Sequence, residues 1–328
     1  MKKFLANQTP DINYYRANVV LGDTVIDALD LTDLRKLLLK DTEVSENDIK
    51  VGMALYHSKI GDWDTKYATT YGSESSFINY YRVSSMREAD AVKNANGMCW
   101  IWVNDGLFFD AETGEWLVSY EEEFKTMVQN YKDAGLWDVI AGFETEEATS
   151  RISQEQYIML TKFISEICPE KRILACTSPW EITGYESEDG TIDIEPLTKE
   201  ALQYVTDIGY DEYHRTDEEY HRELLAKMKA VAPDDARIWF FPCTNRLSTA
   251  SHWYTDEEHM LASLNVTYKL LLEQENPGGL YLYSWDTYIE GAEGLDQLLD
   301  PNGEYNFSEL GNRIVEIGGE ILTGENAQ

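Results

Sequence analysis

Seven short apolar runs recur along this chain, each ending in polar or acidic residues, and most are separated from the next by a stretch with helical spacing. They occupy residues 50–57 (KVGMALYH), 97–104 (GMCWIWVN), 138–146 (DVIAGFETE), 172–177 (RILACT), 205–211 (VTDIGYD), 237–243 (RIWFFPC) and 279–286 (GLYLYSWD). A strand buried on both faces reads as a near-continuous apolar run, whereas a helix covering it shows a 3.6-residue period. Regular alternation of the two predicts parallel βαβ units, and eight such units close into a barrel. Residues 17–21 (ANVVL) supply a weaker eighth run. The expected fold is therefore α/β, a closed (β/α)8 barrel forming one domain over residues 1–328, with extended βα loops and a polar, aperiodic opening segment at 1–16. An open doubly wound sheet would want a glycine-rich phosphate loop after an early strand, and neither GxGxxG nor GxxxxGK[ST] occurs.

Helical spacing predicts helices over residues 25–40, 85–94, 121–134, 154–167, 199–204, 216–231, 255–274 and 307–322. Residues 60–84, rich in aromatics with glycine and serine, read as an extended loop plus a short helix. Residues 178–196 form a long acidic loop.

The acidic excess, 60 Asp and Glu against 27 Lys and Arg for a formal charge of −33, argues against nucleic acid or an anionic membrane as partner. No apolar run is long enough to span a bilayer. Aromatic residues make up 12% of the chain, including nine Trp, and planar amphipathic rings serve equally for core packing and for stacking on sugars. Cys99, Cys168, Cys176 and Cys243 show no CxxC spacing and read as buried free thiols. The opening MKKFL resembles the start of a secretory signal, but residues 7–10 (NQTP) interrupt the apolar stretch. The sequence as it stands is expected in the cytoplasm; removal of an export segment would make it a secreted protein.

In a barrel of this kind the residues just past each strand face one bowl at the carboxyl end. Those residues include Glu144 and Glu146, which share a strand face, and Asp211 after the sixth run. Around them are His57, Trp102, Asn104, Trp180, Tyr213, Asn245, Trp285 and Asp286 as candidate substrate-binding groups. Two carboxyls without a cofactor suit glycoside hydrolysis, one donating a proton to the leaving oxygen and the other acting as nucleophile or base. Glu146 or Glu144 is the candidate acid and Asp211 its partner, with Tyr213 as a donor to Asp211; Glu144 and Glu146 together form a second possible pair. The five histidines form neither HxH nor HExxH, and no GxSxG is present, so neither a metal nor any other cofactor is expected.

GFETEE at 142–147, GYDEYH at 209–214 and YSWD at 283–286 together give the chain a resemblance to the TIM-barrel glycoside hydrolases at large. The large retaining group among them has Asn-Glu after the fourth strand and Glu after the seventh. Here Phe143 precedes Glu144, and Cys243-Thr244-Asn245 follow the seventh run. The DxxDxDxE pattern of the chitinase-like family is echoed by GFETEE alone, so the resemblance implies a fold and a reaction class, with a carbohydrate as partner, and no single family. The alternative from a different class is a carbohydrate-binding barrel that keeps the aromatic bowl without catalysis; a lyase or isomerase on the same scaffold is a further option.

Overall fold

The structure, a computed structural model, describes residues 16–21, 24–30, 51–56, 58–62, 66, 77–187, 192–212, 215–247, 256–286 and 292–323. The chain divides into two compact units, residues 1–44 and 45–328.

In the first unit, Arg16–Leu21 and Thr24–Asp30 pair antiparallel, with Leu21 opposite Thr24 and Arg16 opposite Asp30. This corrects two expectations: residues 17–21 are not a barrel strand, and residues 25–30 of the expected helix are extended. The β-branched run Thr24-Val25-Ile26 favours an extended chain, and Gly22-Asp23 is a two-residue hairpin signal. The remainder of that expected helix, 31–40, lies outside the described residues.

The second unit contains a closed barrel of eight parallel strands: β1 Gly52–Leu55, β2 Tyr80–Val83, β3 Met98–Trp102, β4 Ile140–Glu146, β5 Arg172–Thr177, β6 Asp207–Tyr210, β7 Arg237–Phe240 and β8 Pro277–Leu282. Each pairs with its sequence neighbours, and β8 pairs with β1 to close the ring. Seven strands overlap the apolar runs. The eighth, β2, falls in a stretch expected to be loop.

Helices α1 Met86–Asn94, α2 Val118–Asp133, α3 Gln154–Ile167, α4 Glu218–Val231, α5 Glu257–Leu272 and α6 Ser308–Thr323 follow β2, β3, β4, β6, β7 and β8. Their starts are written locally. Ser85 and Ser153 each form a capping box, while Asp217 and Asp256 accept from Tyr220 and His259 backbone N–H groups. No helix among the described residues is long and apolar enough to cross a membrane.

After β5 the pattern changes. A short helix, Pro179–Thr183, leads into a small antiparallel pair, and residues 199–204, expected as a helix, form only turns. Six residues do not offset the cost of nucleating a helix, and here buried Ala201 and Leu202 cover the barrel instead.

Alternation along each strand sorts the core into two layers. Outward residues such as Ile101, Phe143, Ile173, Ile208 and Phe240 meet the helices, and Phe143 lies 5.1 Å from Phe124 of α2. Inward residues fill the barrel, with Tyr80, Trp100 and Trp239 packed together at its amino end. Gly52 and Gly279 are glycines because a Cβ at either would strike the Trp239 ring. Asp207 completes this floor, accepting from Trp239 Nε1 (2.9 Å), Arg237 Nε (2.7 Å) and Arg172 Nη1 (3.2 Å). These rings and the satisfied carboxylate close the lower end of the barrel, so the inward residues that can meet a ligand are those toward its carboxyl end.

Candidate active site

The inward residues nearest that end form the site. Tyr56 comes just after β1, Arg82 from β2, Trp102 from β3, Glu144 and Glu146 from β4, Cys176 from β5, Asp211 just after β6, and Tyr281 from β8. Strand parity places them. Thr145, between the two glutamates, turns outward to lie 2.9 Å from the Tyr157 hydroxyl of α3.

Arg82 lies at the centre. Its Nη2 donates to Glu146 Oε2 at 2.9 Å and its Nε stands 3.4 Å from Glu144 Oε1. Its Nη1 donates to the Tyr56 hydroxyl, which donates in turn to Glu146 Oε1. The guanidinium is layered between the rings of Tyr56 (4.8 Å) and Trp102 (5.0 Å). Burial, then the charge of Glu144, holds the Tyr56 hydroxyl well above the ordinary phenol range, so it remains a donor.

Two residues apart on one strand, the glutamates have different surroundings. Glu144 is 0% exposed and accepts from the Tyr281 hydroxyl at 3.3 Å. Burial raises its carboxyl to about 7, with Arg82 opposing and Glu146 adding to the rise. The Glu146 side chain keeps 33% of its surface.

Past the strand the chain turns through a left-handed residue, Glu147 (φ 43°), whose N–H bonds to Cys176 O at 2.9 Å. A positive φ at a non-glycine residue is costly, and such conformations concentrate where a site requires them. The turn brings Glu147 into the field of Glu181 and Asp211. Asp211 retains part of its surface, but its Oδ1 is shut off from solvent and accepts no hydrogen bond among the described residues. Burial first, then Glu147, Glu146, Glu212 and Glu181, push its carboxyl well above the usual range. Glu181 accepts from Thr149 N (2.8 Å), Thr149 Oγ1 (2.6 Å) and Ser178 N (3.1 Å), yet burial still raises it to about 7. The Cys176 thiol, lifted by burial and then by Glu144, Glu146 and Asp211, feels all three acids.

Of the residues expected from sequence, the structure brings Glu144, Glu146, Asp211 and Trp102 to this mouth. Trp102 is 38% exposed and Asn104 is exposed beyond it. Trp180 is 53% exposed and meets Tyr185 edge to face at 5.1 Å, while its neighbour Glu181 joins the carboxyl cluster. Asn245 is fully buried, with Nδ2 making no hydrogen bond among the described residues. Trp285 lies within the helix-side core, its backbone N–H donating to the Tyr56 carbonyl oxygen at 2.8 Å. Asp286 is exposed and acts electrostatically on Asp62 and Asp296. His57 and Tyr213 lie outside the described residues.

Sequence reasoning missed Arg82, Tyr56, Tyr281, Glu147 and Glu181. A signal was present for the first: an arginine inside an otherwise apolar YYRV run demands a buried partner. Tyr56 could have been reached by parity, since it shares a face with Ala54.

The four cysteines are free and buried, as expected. Among the described residues no cluster of His, Cys, Asp or Glu has the arrangement of a metal site.

No family model and no curated protein sequence matches this chain. Solved structures do. Xylanase 10B from Thermotoga maritima superposes with a TM-score of 0.53 at 11% identity, covering 83% of this chain and 97% of that one. A GH113 β-1,4-mannanase gives 0.50 at 12% identity over 82% and 98%. A β-glucuronidase from Ruminococcus gnavus gives 0.45 at 12% identity over 64% of this chain, which spans only 38% of that enzyme. At such identities the likeness is one of fold: this chain is a (β/α)8 TIM barrel that resembles the TIM-barrel glycoside hydrolases, without assignment to any one of their families.

Proposed function

We propose that the protein is a glycoside hydrolase whose working carboxyls are Glu146 and Asp211, acting on an oligo- or polysaccharide bound across the carboxyl end of the barrel. The observation that carries this reading is the contrast between the two. Each keeps some surface at the barrel mouth, but Glu146 is bound on both oxygens by Arg82 and Tyr56, whereas Asp211 has a solvent-shielded oxygen that accepts no hydrogen bond among the described residues and lies in the field of Glu147, Glu146, Glu212 and Glu181. Two carboxyls with such different surroundings, one gripped by a cation and a phenol and the other shut from solvent, divide into a proton donor and its partner. Asp211, whose carboxyl is pushed above the usual range by burial and then by neighbouring acids, donates to the glycosidic oxygen; Glu146 faces the positive charge that develops at the anomeric carbon. β4 and β6 are separated by one strand, which sets their backbones about 10 Å apart and leaves room for a sugar ring between inward-leaning side chains. Glu144, fully buried beneath Glu146, supports the arrangement from below.

The test is hydrolysis of manno- and xylo-oligosaccharides, chosen because a mannanase and a xylanase share this fold. Glu146→Gln and Asp211→Asn should each lower turnover about 100- to 10,000-fold while leaving binding intact. Unchanged hydrolysis in both variants would remove the assignment. The second reading, a carbohydrate-binding barrel without catalysis, draws on the end of β7, where Phe241 to Asn245 supply no carboxylate. Binding with no turnover by the unmodified protein would select it.

A further inference from the structure

Arg82 makes contacts of three kinds: it pairs with both strand-mates Glu144 and Glu146, it donates to Tyr56, and it is layered between two rings. A cation that served only to neutralise buried charge would need one of these. What the set adds is direction. With Nη2 on Oε2 and the Tyr56 hydroxyl on Oε1, the Glu146 carboxyl is gripped at both oxygens, and the Tyr56 and Trp102 rings keep the guanidinium from swinging away.

We infer that Arg82 is a positioning residue: with Tyr56 it closes a three-membered ring of hydrogen bonds that fixes the orientation of Glu146 and assigns it the role of charged carboxylate, leaving the proton-donor role to Asp211. The inference rests on the reading of Glu146 and Asp211 as the working pair. Its physical basis is differential stabilisation. Bonds from a guanidinium and a phenol favour a carboxylate over a carboxylic acid, and the acids around Glu146 act in the opposite sense. The groups facing Glu146 are Tyr56 from just after β1, Arg82 from β2, Glu144 on its own strand, Glu147 past it, Cys176 and Asp211 from the β5 and β6 side, and Tyr281 from β8. Arg82 is the one cation among the described residues that touches the Glu146 carboxyl; Arg151 reaches only the Glu146 carbonyl oxygen. Remove Arg82 and the balance passes to the acids.

The experiment follows the Glu146 carboxyl directly by 13C NMR titration, its resonance identified by its loss in Glu146→Gln, beside the pH–rate profile. In Arg82→Gln the Glu146 proton affinity should rise about tenfold or more, and the acidic limb of the rate profile should move to higher pH by the same factor. Arg82→Lys, which keeps the charge but not the fork, should fall between. Tyr56→Phe removes one grip, should shift Glu146 in the same direction by less, and serves as the test should Arg82→Gln not fold. A folded Arg82→Gln or Tyr56→Phe protein with an unmoved Glu146 titration overturns the inference. So does a loss of turnover that is equal at every pH, the mark of a merely structural role. A shifted titration in a protein that hydrolyses no glycan supports the positioning role and refutes the glycosidase reading instead.

Discussion

The Tyr281 hydroxyl reaches across the barrel from β8 to donate to Glu144 Oε2 on β4 at 3.3 Å. It is the sole hydrogen bond that this fully buried carboxyl accepts among the described residues, since Oε1 has only the ion pair with Arg82 Nε. One donor and one cation do not offset complete burial, which is why Glu144 holds its proton up to about 7.

That shift has a stability consequence of definite sign. Between the ordinary value of 4.5 and about 7 the folded chain keeps a proton on Glu144 that the unfolded chain has released, so stability falls as pH rises through this window and levels off above it. The full drop attributable to this group is about 3 kcal/mol. Urea denaturation from pH 4 to 8 should show the decline, and Glu144→Gln, which cannot ionise, should flatten it. Part of the slope should survive in the variant because Glu181 is raised over the same range. A slope identical in the two proteins would mean that Glu144 is ionised throughout.

Arg151 holds the base of the site. It pairs with Asp105, 1% exposed, at 3.1 Å, and also donates to the carbonyl oxygen of Glu146. Arg151→Ala leaves a buried carboxylate without its cation. Breaking such a pair costs several kcal/mol when both partners are buried, but the half-exposed guanidinium reduces the expectation to about 1–3 kcal/mol. Asp105→Asn in the Arg151→Ala background should recover part of that loss, and chemical denaturation of the single and double variants would reveal the coupling.

Most of the barrel was legible because buried parallel strands carry continuous apolar runs, and seven of the eight announced themselves in that way. β2 did not. Its four residues include Arg82, inward-facing and charged, so the very residue that organises the site broke the pattern by which its strand would have been recognised. Residues 17–21 took its place because ANVVL has the right composition, and composition cannot distinguish a hairpin arm from a barrel stave. The site was readable to the same extent: Glu144, Glu146 and Asp211 follow from strand parity, whereas Glu181 reaches the cluster from a short helix after β5 that no periodicity of the sequence foretells.

Gly142 lies one inward position below Glu144, and a Cβ there would strike the backbone of Arg172 on β5. Because the obstacle is backbone rather than a flexible side chain, Gly142→Ala must push β4 and β5 apart directly beneath the carboxyls. The expected outcome is a stability loss of at least about 1–3 kcal/mol together with lost turnover. A variant of normal stability with unaltered kinetics would show that the strand pair has more slack than its geometry allows.

Trp180 offers the reverse case, a large side chain whose removal should cost the fold little. More than half of it is exposed; it rests edge to face on Tyr185, itself 39% exposed, and its sequence neighbour Glu181 turns inward to the carboxyl cluster. A large ring left in water contributes nothing to the core, and under the proposed function it would serve as a platform for a sugar ring. Trp180→Ala should leave stability within about 0.5 kcal/mol and the reaction of a short aryl glycoside unchanged. For an oligosaccharide long enough to reach the platform, kcat/KM should fall about tenfold, as expected for loss of one stacking contact worth about 1.4 kcal/mol. Equal losses on short and long substrates would place Trp180 in the shape of the loop rather than on the path of the glycan.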